Sequence, residues 1–403
     1  VENNLQASLD WKVLIYDNRG LSILSTLLKV SKLLEVGVTY YGLITQRRDP
    51  IPDVTAVYLL EPTPENLRLM AQDCATPLYD KMYINFLSPI SSYELENFAS
   101  QVRNFSDGQN IKFIYDQCID FYSPDPNLFS LYDNINVSQT SPTTFHTLPN
   151  LDYTMPSIFG FNTTDEAMEN ACKSIASSLF SVFLTAGEIP RILYPKGSQP
   201  ANLVAQAFSE FLRPYSQDYA LWESRRGDSP VGKPPLLLLF DRSIDFASQV
   251  HHPCTYQALI HDQFGISKNQ VKVNGKQYDL DTDIDKFWAE NRSKTFDTVL
   301  ESIGKEANEF KTAYGAIEND INSAIKNLPE LSHKRLSLET NTKIAEALVK
   351  VVKDKQADNM FKFEEDIVLQ SIDINKLIEF LLTIPDQNDR LRCAAFAYFA
   401  KVF

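Results

Sequence analysis

The sequence predicts an α/β protein with two doubly wound parallel-sheet domains, followed by a helical domain that carries a protruding helical hairpin. Short apolar segments alternate with amphipathic ones over about the first 123 residues, which is typical of parallel strands joined by helices. A second alternation of the same kind follows. From about residue 284 the strand-like segments stop, and charged residues alternate with sparse apolar ones. That pattern favours helices with narrow apolar faces, which suit an extended arm.

The first domain, which we place at residues 1–123, is predicted to contain five strands. Their segments are Lys12–Tyr16, Val38–Ile44, Ala56–Leu60, Met82–Phe86 and Cys118–Tyr122. The helices between them have recognisable ends. Leu21–Val36 is amphipathic and precedes Gly37, a favoured residue at helix C-termini. Thr63–Pro64 is typical of a helix start, and Ser91 with Glu94 three residues later has capping-box spacing.

The first part of a second domain is predicted at residues 124–250. A helix over about residues 164–187 is followed by a strand at Ile189–Tyr194 and a helix at Ala201–Leu212. We expect the next strand, Leu236–Phe240, to be fully buried, because an all-apolar run has no face for solvent. An acidic turn, Asp241–Asp245, comes directly after it. Open α/β sheets usually carry their functional residues at such strand ends.

Residues 251–365 are predicted to form the helical domain, and residues 366–403 to begin a further helical subdomain. Two helices are expected in this last part, at Leu377–Leu382 and Leu391–Phe403. Since the second of them is apolar to its last residue, we expect a C-terminal remainder that covers it.

Composition excludes several classes of function. The chain has 403 residues, a net charge of −14 at pH 7 and five cysteines. The acidic balance argues against nucleic acid as a partner, since binding phosphates requires a basic surface. An odd, dispersed set of cysteines fits a reducing compartment, and no apolar run reaches the ~18 residues of a membrane span. We therefore predict a cytoplasmic protein that is peripheral to any membrane it serves and that needs no cofactor.

Two segments resemble parts of enzyme sites, and each has a simpler interpretation. Gly227–Lys233 has phosphate-loop spacing, but Pro234 replaces the metal-holding Ser or Thr, and the segment precedes a strand instead of following one. Asp241 and Asp245 offer ligands for Mg²⁺, or they simply end a strand and cap a helix. A metal- or nucleotide-dependent hydrolase on the second domain, built around these two carboxylates, is the alternative from a different functional class.

Histidines near the acidic turn offer possible zinc ligands. The candidates are His251, His252, Cys254 and His261. Adjacent histidines point in different directions, and no second ligand pair with zinc spacing follows them. Core and capping roles therefore account for them, and neither a catalytic residue nor a metal site is predicted.

Two features favour binding over catalysis. One helix carries an apolar stripe with i, i+3, i+4 and i+7 spacing, which two isoleucines follow: Leu95, Phe98, Ala99, Val102, Ile111 and Ile114. The stripe is either core or a face that a helix at a sheet edge shares with a short peptide. The loop with Arg47 and Arg48 is either a solvated turn or a basic lip facing an acidic partner helix.

Seven segments of the chain together resemble the SM family, the Sec-one/Munc-eighteen proteins. They are Trp11–Asp17, Arg48–Tyr58, Pro62–Leu67, Tyr83–Phe86, Tyr115–Gln117, Asp241–Phe246 and Leu328–Leu331. The matches are collinear and extend over nearly the whole chain. The Ile-Pro-Asp-Val loop and the Tyr-Ile-Asn-Phe strand are most similar to the Sly branch of this family.

This resemblance implies an arch-shaped, non-enzymatic SNARE chaperone. In the family, the first domain and the helical domain face each other across a cleft that holds SNARE helices, and Sly-type members act in fusion between the endoplasmic reticulum and the Golgi. The implied partners are a syntaxin-type Qa-SNARE, through its N-terminal peptide and its SNARE motif, an R-SNARE and tethering factors. The implied location is the cytoplasmic surface of ER and Golgi membranes. An SM protein of another trafficking step is the alternative within the family.

The resemblance also implies which residues contact the partners. The family's syntaxin N-peptide pocket corresponds to Leu95, Phe98, Ala99, Ile111 and Ile114, and a charge placed at Phe98 is expected to abolish peptide binding.

The hairpin on which the family assembles SNAREs corresponds to about Phe296–Val352, with Pro329 at the hinge of its second helix. The residues assigned to the SNARE cleft and hairpin are Arg47, Arg48, Leu328, Pro329, Leu331 and Ile344. Because the stretch between Tyr314 and Leu328 is short for the Sly branch, we do not expect a long regulatory loop there.

Overall fold

The structure, a computed structural model, describes most of the chain. It covers residues 11–28, 30–75, 78–125, 127–131, 163–227, 232–282, 284–317, 321–369 and 373–400, and the side chains of 313–317 and 321–331 lie outside the description. The chain forms two compact units that divide between Asp241 and Arg242. This division precedes the predicted limit at residue 250. The finer limits at residues 123 and 365 stay predictions.

A five-stranded parallel sheet forms the first half of unit one. Its strands are β1 (Lys12–Tyr16), β2 (Val38–Leu43), β3 (Ile51–Leu60), β4 (Tyr79–Phe86) and β5 (Ile111–Asp116), in the order β2-β1-β3-β4-β5. Its helices are α1 (Asn18–Leu27), α2 (Val30–Glu35), α3 (Pro64–Ala75) and α4 (Ser92–Phe105). All neighbouring strands are parallel, so the predicted doubly wound class is confirmed.

Alternation along the central strands places a core on each face of this sheet. Val13 and Ile15 of β1 point to the face that α3 and α4 cover, where Phe98 is also buried. Leu14 and Tyr16 point to the opposite face and pack with α1 and α2. With helices on both faces, the central strands have no side that water reaches, which is why they read as continuous apolar runs.

The fifth strand was wrongly predicted at Cys118–Tyr122. The observed strand is β5, Ile111–Asp116, which pairs with β4 at the edge of the sheet. Most of its side chains are exposed, so it lacks the apolar signature of a buried strand. The segment predicted instead contains Cys118 at φ +52°, a left-handed conformation that interrupts extended backbone. The predicted single helix Leu21–Val36 is also divided, into α1 and α2.

The rest of unit one is a smaller α/β assembly. Its elements are β6 (Tyr122–Asp125), β7 (Leu128–Ser130), α5 (Asp165–Ala186), β8 (Arg191–Leu193), α6 (Gln199–Leu212), α7 (Tyr219–Arg226) and β9 (Leu236–Leu238). The strands β8 and β9 pair in parallel. Leu236 and Leu238 are exposed and Leu237 between them is buried. The expectation of a fully buried leucine strand is therefore wrong, because in the described residues helices pack against only one face of this pair.

Unit two is mostly helical. Its helices are α8 (Ala247–Val250), α9 (Tyr256–Phe264), α10 (Lys286–Asn291), α11 (Phe296–Ile317), α12 (Ile321–Lys355), α13 (Ala357–Val368), α14 (Ile374–Thr383) and α15 (Gln387–Phe399). The helices α11 and α12 pack against each other, which confirms the predicted hairpin. The sequence analysis missed a small antiparallel sheet within the helical segment. Its strands are β10 (Ile266–Ser267), β11 (Gln270–Val273) and β12 (Lys276–Asp279).

Candidate functional site

A groove lies between helix α4 and the edge strand β5 of the first sheet. The helix begins with a complete capping box: the Ser91 hydroxyl accepts a hydrogen bond from the Glu94 backbone at 3.2 Å, and the Glu94 carboxylate accepts one from the Ser91 backbone at 3.2 Å. Two otherwise unpaired backbone donors are satisfied in this way, which fixes the first turn. The box therefore fixes where α4 begins, and the burial of Phe98 and Val102 in the sheet core orients the helix.

All five residues of the predicted pocket line this groove. Its volume is about 430 Å³, and its lining comprises Leu95, Phe98, Ala99, Val102, Arg103, Ser106, Asp107, Ile111 and Ile114. The spacing along α4 places four of these side chains on one face of the helix, and the parallel strand brings the two isoleucines beside them. A single apolar surface results from residues that the sequence separates by up to nineteen positions, from 95 to 114.

Burial divides the five residues into a floor and a rim. Phe98 is only 1% exposed and belongs to the core beneath the sheet, and Ile111 packs against that core. Leu95 is 37% exposed and Ile114 is 36% exposed. The interpretation of the stripe as core thus holds for Phe98, while Leu95 and Ile114 present apolar surface that a ligand can reach.

Charged side chains close one end of the groove. Arg103 and Asp107 line it together with Ser106, and the sequence analysis named none of them. Arg103 directly follows Val102 of the apolar stripe, and Ser106 and Asp107 lie about one turn further along the chain. A ligand that is apolar in the middle and charged at one end would match this arrangement.

Arg48 is committed to an internal ion pair, so its prediction as a partner-facing residue is wrong. Its guanidinium donates to both carboxylate oxygens of Asp73, at 2.8 and 3.0 Å, and to the Ile44 carbonyl at 3.0 Å. Asp73 is buried and also accepts from the Tyr58 hydroxyl at 2.9 Å. Arg48 therefore anchors the loop before β3. Arg47 is exposed, and its role as a basic lip stays a prediction.

The structure describes the side chain of only one of the four residues predicted to contact SNAREs on the hairpin. Ile344 is fully buried in the core of unit two, with Trp288 and Leu348, so its prediction as a SNARE contact is wrong. Leu328, Pro329 and Leu331 lie on α12, but their side chains are outside the described residues.

The described hairpin does present an apolar groove at its base, where α11 and α12 meet. It has a volume of about 270 Å³ and is lined by Leu300, Ile303, Thr342, Ala345, Glu346 and Val349. The groove residues of α12 lie within five positions of Ile344, and Leu300 and Ile303 come from α11.

A polar network fills the crevice at the carboxyl ends of β1 and β3. This point, where the strand order reverses, is where doubly wound sheets usually bind ligands. Asp17 accepts hydrogen bonds from the backbone of Gly20 at 2.7 Å and of Glu61 at 2.9 Å, and from the Asn66 amide at 2.7 Å. The chain's own groups thus occupy the position that a cofactor takes in other proteins of this class.

The same network extends to helix α5. Arg19 pairs with Asp120, whose second oxygen accepts from the Ser178 hydroxyl at 3.0 Å. Burial raises the pKa of Glu61 from 4.5 to about 7, with Asp120 and Asp17 acting in the same direction and Arg19 opposing them. This network has no sequence signature, because its members are far apart along the chain.

The two carboxylates proposed for the hydrolase alternative accept hydrogen bonds from serine hydroxyls. Asp241 accepts from the Ser198 hydroxyl. Asp245 accepts from the Ser248 backbone at 3.1 Å and from its hydroxyl, and these bonds lower the pKa of Asp245. The Asp245 contacts match the turn and cap interpretation, whereas Ser198, the partner of Asp241, precedes helix α6. The phosphate-loop match at Gly227–Lys233 falls partly outside the described residues.

Two of the four candidate zinc ligands, His251 and His252, lie beside one carboxylate, Glu364. The His261 ring accepts a hydrogen bond from the Ile266 backbone at 3.1 Å, and the Cys254 carbonyl accepts one from the Phe296 backbone at 3.0 Å. His252 instead lies beside two residues from distant helices, Glu364 and Cys393.

Among the described helices, none combines the length and the apolar character needed to cross a bilayer.

Comparison with known proteins places these features in a family. The model of the Sec1 family matches residues 12–402. The sly1 homolog of Drosophila virilis is 32% identical over 418 residues, which cover 94% of this chain and 60% of the relative. The sly1 protein of Schizosaccharomyces pombe is 34% identical over 386 residues, which cover 89% and 56%. The chain thus spans about six-tenths of the length of these curated relatives.

Solved structures agree with the sequence matches. The crystal structure of Sly1p in complex with an N-terminal peptide of Sed5p aligns with a TM-score of 0.78 at 32% identity, covering 97% of this chain and 61% of that chain. The SM protein Vps45 aligns with a TM-score of 0.79 at 22% identity, over 99% of this chain and 70% of that chain, and supports the fold alone. By the extent of the family match and the identity to these relatives, this chain is a member of the Sec1 family.

Proposed function

We propose that the groove between α4 and β5 binds the N-terminal peptide of a syntaxin-type Qa-SNARE, and that the chain promotes SNARE assembly in fusion between the ER and the Golgi. The observation that carries the proposal is the convergence of Leu95, Phe98, Ala99, Ile111 and Ile114 on one accessible groove. A relative with 32% identity, Sly1p, was solved with an N-terminal peptide of Sed5p, which supports this choice of ligand.

The chemistry of the groove suits a short peptide with one large apolar side chain. Leu95 and Ile114 offer apolar surface at the rim, and burial of one such side chain contributes about 1.5 to 3 kcal/mol. Arg103 and Asp107 at one end add hydrogen-bonding and charge complementarity, which contributes more to register than to affinity. A peptide held in this way tethers the rest of its SNARE close by.

The hairpin is the proposed surface for the SNARE motif. SNARE motifs are disordered alone and lose conformational entropy when they wind together. An amphipathic helix can place apolar side chains into the groove lined by Leu300, Ile303 and Val349. A rigid surface that orders one Qa- or R-SNARE helix in advance lowers the entropy loss that remains when the complex forms. No bond is made or broken in this proposed activity.

Membrane association would follow from the partners. A Qa-SNARE anchored in ER or Golgi membranes would recruit the chain to the cytoplasmic surface, and tethering factors are proposed as additional partners there. An SM protein of another trafficking step would carry the same groove and hairpin and differ in which syntaxin it binds. A panel of fluorescently labelled syntaxin N-terminal peptides separates these alternatives, because the ER–Golgi syntaxin peptide is expected to bind most tightly.

Rim substitutions test the groove directly. Leu95→Glu and Ile114→Glu place a charge in apolar surroundings at exposed positions, which costs about 1 to 3 kcal/mol of binding and thus lowers peptide affinity about 10- to 100-fold. Tyr93→Glu is the matched control, since Tyr93 is exposed on the same helix outside the groove lining. Fluorescence anisotropy with the Qa-SNARE peptide measures the affinity, and circular dichroism verifies folding. Unchanged affinity in both folded rim variants would refute the assignment.

Phe98→Arg does not serve as this test, although the sequence analysis suggested it. Phe98 lies in the core beneath the sheet, and a buried unpaired charge there destabilises the whole domain. Loss of binding would then follow from unfolding.

A further inference from the structure

Three buried side chains, each of a type that can bind a metal ion, come together from three segments of unit two. His252 follows α8, Glu364 lies on α13 and Cys393 lies on α15. His252 is 3% exposed, and Glu364 and Cys393 are fully buried. One ligand atom from each of the three lies within 4.8 Å of the others. Nothing in the SNARE-binding proposal uses these residues.

Glu364 is the acceptor at the centre of this group. One of its oxygens accepts from the His252 backbone at 2.8 Å, and the other lies 2.6 Å from Nδ1 of the His252 ring. The Cys393 thiol donates to that second oxygen at 3.7 Å. Since a carboxylate only accepts, Nδ1 must carry the ring proton in this arrangement.

The other ring nitrogen of His252 has no hydrogen-bond partner. Nε2 of His252 is buried without a hydrogen-bond partner, and it faces Asp389 Oδ1 at 3.9 Å. Asp389 Oδ2 is buried without a hydrogen-bond partner too, and lies 3.5 Å from the Lys355 ammonium. Two buried polar atoms, His252 Nε2 and Asp389 Oδ2, are thus left without a hydrogen bond, which is costly.

A metal ion would resolve this arrangement. We propose that His252 Nδ1, the Glu364 carboxylate and Cys393 Sγ bind a divalent transition-metal ion, with Zn²⁺ as the best match to the ligand set. On binding, the His252 proton resides on Nε2, where it can donate to Asp389. Metal-bound histidines usually have such a carboxylate partner for the second ring nitrogen.

The ligand types select the class of ion. A thiolate, an imidazole and a carboxylate suit zinc or cobalt, whereas Mg²⁺ and Ca²⁺ require oxygen ligands. The imidazole of His251 has its Nε2 3.7 Å from Glu364 Oε2, near enough to provide a fourth ligand after a small shift. Zinc in structural sites is usually four-coordinate and tetrahedral.

Binding requires the loss of one proton. A metal ion binds cysteine as the thiolate, so the Cys393 thiol must give up its proton. The ion replaces this proton, which passes to solvent, and the imidazole binds through Nδ1 with its proton on Nε2. Metal affinity should therefore increase with pH.

Cobalt binding to the full chain tests the site. The reduced protein is freed of metal with a chelator and titrated with Co²⁺, because a cobalt–thiolate bond has a charge-transfer absorption in the near ultraviolet. We expect a band that saturates at one ion per chain, that Zn²⁺ displaces, that is lost in Cys393→Ser and that persists in Cys254→Ser, the matched cysteine control. Asp389→Asn should lower the affinity about 10- to 100-fold while the band remains.

Three results would overturn the proposal. They are a folded wild-type chain without the band, a band that persists in Cys393→Ser or disappears in Cys254→Ser, and unchanged affinity in Asp389→Asn. If Cys393→Ser does not fold, the wild-type titration and Asp389→Asn still decide the question, because Asp389 is outside the proposed ligand set and its replacement by the isosteric asparagine preserves the side-chain volume.

Discussion

Arg48 and Asp73 form a two-point ion pair, with Nη1 to Oδ2 at 2.8 Å and Nη2 to Oδ1 at 3.0 Å, that holds the loop before β3 against helix α3. Both side chains are almost completely shielded from water. Breaking such a pair leaves a buried charge without a partner, which costs about 3 to 5 kcal/mol. Removal of either residue is therefore expected to destabilise the fold, because the other would stay buried without its counter-charge.

We expect Arg48→Ala to lower the free energy of unfolding by about 3 to 5 kcal/mol, because Asp73 would stay buried without its counter-charge. Arg47→Ala, at the adjacent exposed position, should change it by no more than about 0.5 kcal/mol. Urea unfolding followed by circular dichroism measures both values. Equal effects of the two substitutions would contradict the assignment of Arg48 as the anchor.

Ile344→Ala should destabilise unit two by about 2 to 5 kcal/mol, since it removes a fully buried side chain and leaves a cavity. Leu336→Ala is the control, because Leu336 is exposed on the same helix and its truncation leaves no cavity. Thermal unfolding of both variants provides the comparison. A neutral Ile344→Ala would mean that the hairpin base is not packed as described.

Ser91→Ala should lower stability by about 1 kcal/mol, because the variant loses the capping interaction of α4. Ser92→Ala, one position into the helix, should have little effect. Hydrogen exchange of the first turn of α4 is the more specific measurement, and faster exchange there is expected only in Ser91→Ala. Since this turn carries Leu95, a moderate loss of peptide affinity should accompany it.

Glu61 should make the stability of unit one depend on pH. In the unfolded chain its carboxyl loses a proton near pH 4.5, whereas in the folded chain it keeps that proton up to about pH 7. Between these values the folded state binds more protons, so the free energy of unfolding decreases as the pH rises from about 4.5 to about 7 and is constant above. Because Glu61 is only half-buried, we expect a decrease of about 1 to 2 kcal/mol.

Urea unfolding at a series of pH values checks this expectation. Glu61→Gln should remove the decrease, and Glu65→Gln, at an exposed position on α3, should leave it in place. A Glu61→Gln profile that still declines over this range would assign the effect to other groups.

The sequence was sufficient where local chemistry determines local structure. The limits of β1 were predicted to the residue, and the start of α3 at Pro64 and the capping box at Ser91 are confirmed. Each of these signals acts within four residues. The edge strand β5 was missed because an exposed strand lacks the apolar run that identifies a buried one.

Contacts between distant residues could not be predicted from spacing. His252 and Glu364 are separated by 112 positions, and Arg19 and Asp120 by 101, so neither pair has a sequence signature. The resemblance to a known family grouped the groove residues correctly, because it carried spatial information that periodicity lacks. It did not distinguish Phe98, at the floor, from Leu95, at the rim.

Phe98 belongs both to the core of the sheet and to the floor of the groove. This has an evolutionary consequence. A mutation there that fits the groove to a new peptide must also repack the interior, so two selective constraints act on one side chain. Only the constraint from peptide binding acts on Leu95 and Ile114. Divergence of ligand preference among paralogues is therefore expected to accumulate at those two outer positions, while the aromatic floor stays invariant.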